Sequence, residues 1–138
     1  MGDTILTPIL MLVSWTLIVW VWMYAKRIPA MNAAKLDPQQ AAVPGALQKL
    51  LPPEAQRVAN NYNHLHEQPT IFYALVIYSH LAGMGDATNI TLAWAYVALR
   101  VVHSLVQGTV NIVMIRFSVF ALSTLVLMAM AVRNLIAL

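Results

Sequence analysis

Four apolar stretches, separated by polar segments, organise the chain. From Thr4 to Ala25 no residue is charged, and the run ILTPILMLVSWTLIVWVWMYA has about the length that crosses a ~30 Å hydrocarbon core. It predicts a first transmembrane helix over residues 4–25, closed by the interfacial aromatics Trp20, Trp22 and Tyr24 and then by Lys26 and Arg27. Only Asp3 precedes it among charged residues, and its length exceeds that of a signal-peptide core, so it is expected to stay on the protein. Residues 26–56, with Pro29, Pro38, Pro44, Gly45, Pro52 and Pro53, predict a loop carrying one short helix. Pro52, Pro53 and Glu54 suit the first turn of a long helix that continues to about His80, aqueous at first and inside the membrane over 68–84. The turn-rich LAGMGDATN ends it. From Asn89 onward the only charges are Arg100, Arg116 and Arg133. That stretch accommodates two further spans, 88–107 and 114–136, with a bend at Gly108 and Asn111. The prediction is an all-α, four-helix integral membrane bundle forming a single domain over residues 1–138.

Composition narrows the function. Of 138 residues 60% are hydrophobic and 9% charged, with a mean hydropathy of +0.69, against ~25% charged in soluble domains. A soluble globular domain is excluded. The net charge of +3 is local, because five of the eight basic residues, Lys26, Arg27, Lys35, Lys49 and Arg57, lie in or just after the first loop. That places the loop on the cytoplasmic side and both termini opposite, and it makes nucleic acid an unsuitable partner. The short loops predict a bacterial inner-membrane protein. No cysteine is present, so disulfides, a protein thiolate nucleophile and cysteine-ligated metal are excluded, and any thiol chemistry must come from a ligand.

The chemistry must then lie in the few polar residues of the spans. Arg at membrane depth costs at least ~2.5–3.5 kcal/mol and is turned toward a bundle interior or a wet cavity. Arg100 shares a helical face with Tyr96, His103, Ser104 and Gln107. Its carboxylate partner is predicted to be Glu67, the only acidic residue between Glu54 and Asp86. In RVANNYNHLHEQP, Arg57, Asn60, His64 and Glu67 recur along one side of a helix, whereas Asn61, Asn63 and His66 are read as a solvated face. Arg116 is a third cation, either snorkelling at the helix end or facing a cavity with Arg100, where the two would suit a small polyanion. A metal across His64, Glu67 and His103 is an alternative use of these groups; no metal is expected. No glycine-rich phosphate loop, Ser-His-Asp arrangement or carboxylate pair is present.

The segment LRVVHSLVQGTVNIVMIRF, residues 99–117, resembles the Arg-x-x-His segment and following Arg of the MAPEG family, the membrane-associated proteins in eicosanoid and glutathione metabolism. Those residues here are Arg100, His103 and Arg116. The stretch ending in Glu67 and Pro69 is similar to the family's polar motif before a hydrophobic span. In the register set by Glu67, Asn60 and His64 stand where many members carry Arg and Asn, and Gln107 stands where many carry Tyr. The resemblance implies a homotrimer of four-helix bundles, contact with membrane lipid, glutathione bound between protomers near the cytoplasmic side, and a lipophilic small-molecule substrate. It implies Arg100, His103, Glu67, His64, Asn60 and Gln107 as glutathione contacts and Arg116 as the catalytic residue that stabilises the thiolate. The expected activity is glutathione transfer to lipophilic electrophiles or glutathione-dependent peroxide reduction. The alternative is a catalytically silent member that binds lipid or an anionic ligand, or serves as a structural subunit.

Overall fold

The structure, a computed structural model, describes residues 4–43 and 45–138. Helix α1 (Thr7–Ala33) is followed by a 3₁₀ segment (Pro38–Ala42), a short α2 (Ala46–Leu50), α3 (Pro53–His64), α4 (Gln68–Leu81), α5 (Ala87–Gly108) and α6 (Val113–Ile136). The described residues contain helices and turns only, and α1, α5 and α6 are each long and apolar enough to cross a membrane.

Each helix buries one stripe. On α1 the buried positions are Pro8, Leu12, Thr16, Val19 and Met23, spaced three or four apart so that they share a face. Leu12 and Val19 meet Phe72 and Val76 of α4, Tyr96 and Val97 of α5, and Leu127 and Met130 of α6. The Phe72 and Tyr96 rings stack with centroids 4.5 Å apart. Outside this core the faces are apolar and exposed, as Leu10, Leu17, Ile18, Val21, Leu125 and Met128 show. Exposed aliphatic side chains on every long helix are what lipid contact requires, since lipid gives no penalty for leaving them outside the bundle.

Two differences from the sequence reading bear on the site. The first helix runs eight residues past the expected end at Ala25, carrying Pro29 in its interior, because the stretch after Arg27 is rich in alanine and methionine, both strong helix formers. The predicted unbroken helix from Pro53 to His80 is instead two helices. Residues Leu65–Glu67 form a turn, with Glu67 at φ −96° and ψ −93°. Pro69 lies in the first turn of α4, where its missing N–H is no loss, whereas inside a continuous helix it would remove a hydrogen bond and clash with the preceding turn.

The two ends of the bundle are tied differently. At the end bearing the α4–α5 turn, Asp86 caps α5 by accepting from the Asn89 N–H at 2.9 Å. Arg133 of α6 donates to Asp86 at 2.6 Å and to Asn89 at 2.9 Å. Asn134 donates to Ser79 of α4 at 2.9 Å. At the other end, bearing the 26–56 loop, Met23 packs against Val58 and Ala59 of α3, and Arg57 Nη1 donates to the Thr109 carbonyl at 3.1 Å. There the first ten residues of α6, 113–122, contain none that is buried. This part of α6 stands off the bundle, and a cleft opens beside it.

Candidate functional site

Helices α3 and α5 run antiparallel at the loop end, a register fixed by Arg57 on Thr109 and by Arg100 on His64. Arg100 lies eight residues, about 12 Å, from the end of α5 and is fully buried. Its Nη2 donates to His64 Nδ1 at 2.8 Å. A guanidinium only donates, so Nδ1 accepts and the His64 proton sits on Nε2. Burial, and then the Arg100 charge, push His64 below the usual histidine pKa, which keeps it the neutral acceptor that this bond needs at pH 7.

The His64 ring stacks on His103, with centroids 4.8 Å apart and planes 16° from parallel. Both rings pack near Phe120 of α6. Together with Val113, Arg116 and Phe117 they line a cleft of about 190 Å³. Arg116, half-buried in the first turn of α6, donates from Nη1 to Asn111 Oδ1 at 2.7 Å. Glu67, on the turn after α3, has Oε2 4.0 Å from His64 Nε2, and its side chain is 69% exposed. The cleft thus presents one half-exposed guanidinium, two stacked imidazoles and two phenyl rings, with a carboxylate at its margin and a second guanidinium behind the imidazoles.

The expected site residues distribute unevenly over this geometry. His64, His103 and Arg116 line the cleft, whereas Arg100 stands behind His64 and its partner is that imidazole rather than the expected Glu67 carboxylate. Gln107 is buried on the same stripe of α5, with no partner for its Oε1. Asn60 is exposed and accepts from Gln56 at 3.0 Å, so it lies away from Arg100. The expected common face of Arg57, Asn60, His64 and Glu67 does not form, because α3 ends at His64 and its packing stripe of Ala55, Val58 and Ala59 turns Asn60 outward.

The same rotation overturns the reading of Asn61 as solvated. It is fully buried and neither of its side-chain polar atoms has a partner. Its place, three residues before His64, sets it level with Ser104, whose Oγ is also buried and unpartnered. The apolar stripe of α3 was the signal that could have placed Asn61 inside. Asn111, which the sequence places at a bend about one and a half turns before Arg116, is the side-chain partner of that arginine.

This fold and site define a helical membrane bundle with a cationic cleft that opens along one of its spanning helices. The MAPEG family model matches residues 5–136, nearly the whole chain, and the chain belongs to that family. Comparison with curated proteins and with solved structures returned no significant match. Family membership supports, in general terms, a glutathione-related function in the membrane.

Proposed function

We propose that this chain binds glutathione in the cleft beside α6 and acts on lipophilic electrophiles, as a transferase or a peroxidase. The observation that carries the reading is Arg116, a half-exposed guanidinium facing two stacked imidazoles and two phenyl rings. Glutathione has two carboxylates, an ammonium and a thiol. The donors here fit it, with guanidinium and imidazole groups for anions and the exposed Glu67 for the ammonium. Arg100 Nε and Nη1, His103 Nδ1 and Gln107 Oε1 are buried without partners, and unmet buried groups of this kind cost about 1–3 kcal/mol each. They supply further donors and acceptors behind the rings if His64 turns aside.

Bound there, glutathione would supply a thiol sulfur as nucleophile. Arg116 would place positive charge next to that sulfur, favouring its anion over the thiol. Phe117 and Phe120 would shield the site from water on the lipid side. An apolar groove of about 230 Å³ between α4 and α6, which includes Ile71, Leu75, Leu127 and Met128, has Gln68 and Thr124 among its lining residues and gives a lipophilic second substrate an approach from the bilayer. The cleft is smaller than the roughly 300–1,000 Å³ of small-molecule sites, which supports completion of its wall by a second protomer in a homotrimer.

The test is a conjugation assay on protein reconstituted in vesicles, with glutathione and a membrane-partitioning electrophile. Thioether product is expected from the wild type. Arg116→Ala is expected to slow its formation roughly 8–25-fold at pH 7, the loss of thiolate that follows when removal of the adjacent cation returns the thiol from about 6.5–7.5 to its free pKa of about 8.5. Equal rates for the two proteins would sink the catalytic role. A second reading, a silent member that binds an anion, is favoured by the full burial of Arg100 and the outward turn of Asn60. It predicts glutathione binding without product.

A further inference from the structure

The link between α5 and α6 contains an unusual residue choice. Asn111 adopts φ +49°, in the left-handed region, and its N–H donates to the Val106 carbonyl at 2.7 Å to close the end of α5. Glycine is the default residue for that conformation, and asparagine is among the few others that tolerate it. Where glycine would serve the turn alone, asparagine adds an amide, and its Oδ1 accepts from Arg116 Nη1 at 2.7 Å.

Arg116 needs such a partner. It sits in the first turn of α6, where the helix dipole is positive and a cation is disfavoured. No acidic residue lies in that turn and the N-cap, Ile112, offers no side-chain cap. Among the described residues Arg133 pairs with Asp86 and the Glu67 carboxylate lies 4.0 Å from the neutral His64 ring, and neither contact involves Arg116. A neutral amide fixes the guanidinium without cancelling its charge. A carboxylate in the same place would hold it equally well but would neutralise it.

We infer that Asn111 is a positioning residue, holding the Arg116 guanidinium in the cleft with its full charge available to an anionic sulfur. This rests on the proposed glutathione reading. Asn111 contacts the arginine and acts on the thiol only through it.

The test compares wild type, Asn111→Gly and Asn111→Asp, titrating the ultraviolet absorbance of the thiolate of bound glutathione against pH. Asn111→Gly keeps the backbone and loses the acceptor, so Arg116 is released. Asn111→Asp keeps the backbone and the acceptor and adds a competing charge. Both are expected to shift thiol ionisation upward by about one pH unit, so that roughly 3–8-fold less thiolate is present at pH 7, while glutathione affinity changes less. In an Arg116→Ala background Asn111→Gly should shift it no further, as a shared pathway requires.

A turn role alone predicts that Asn111→Gly behaves as wild type, because Gly adopts φ +49° without cost. That result overturns the inference and leaves the glutathione reading intact. Absence of bound glutathione or of thiolate in the wild type overturns the reading itself, and this inference with it.

Discussion

Arg100→Met is expected to raise the melting temperature of the ligand-free protein by several degrees while weakening glutathione binding roughly tenfold or more. The stability effect follows from burial. Arg100 is fully enclosed, its Nε and Nη1 have no partner, and its one side-chain bond is to a neutral imidazole. Replacing a buried ion pair by apolar side chains of similar volume is often neutral or stabilising by about 1–4 kcal/mol, and Arg100 lacks even the carboxylate that would offset its burial. The binding effect follows from the 2.8 Å bond to His64 Nδ1, which fixes the ring that stacks on His103 and faces the cleft. Hydrogen bonds to charged groups contribute about 1.5–3 kcal/mol, and 1.4 kcal/mol corresponds to tenfold in affinity. Thermal unfolding in detergent and calorimetric titration read the two effects separately. A lower melting temperature with affinity unchanged would instead assign Arg100 to packing.

Gly108→Val is expected to be the most damaging single substitution at the loop end of the bundle. A Cβ built on Gly108 would overlap the six-membered ring of Trp22, so α1 and α5 approach at this point as closely as a glycine allows. Overpacking of a filled site costs about 1–3 kcal/mol and sometimes more, and here the obstacle is an indole next to the turn that carries Asn111. The variant should unfold at markedly lower temperature. The double variant Gly108→Val with Trp22→Leu should recover most of the loss, since the ring is the obstacle. If the double variant is no more stable than the single one, the close approach is not the cause.

Much of the bundle is legible in the sequence because burial in a membrane protein leaves a clear period. The stripe Tyr96, Arg100, His103, Gln107 is polar on an otherwise apolar helix, and all four residues are buried. The start of α6 just after Asn111 follows from the glycine and asparagine that precede it. Three features were not legible, each for a physical reason. The phase of α3 depends on whether Asn60 or Asn61 faces inward, adjacent positions about 100° apart on a helix, and packing against α1 and α5 decides it. The break at Leu65–Glu67 depends on Pro69 lying at the start of a new helix rather than inside an old one, and that leaves Glu67 exposed beside His64 instead of paired with Arg100. The bond from Arg116 to Asn111 spans five residues across a turn, a spacing that no helical period reveals.

The central claim is that the cleft beside α6 binds glutathione. Calorimetric titration of glutathione into the detergent-purified, folded protein tests it most directly, with the analogue lacking the thiol run alongside. The account predicts saturable binding of both, since the carboxylates and ammonium meet the imidazoles and Glu67 while only the sulfur is assigned to Arg116. No binding of either by a protein shown to be folded would contradict it.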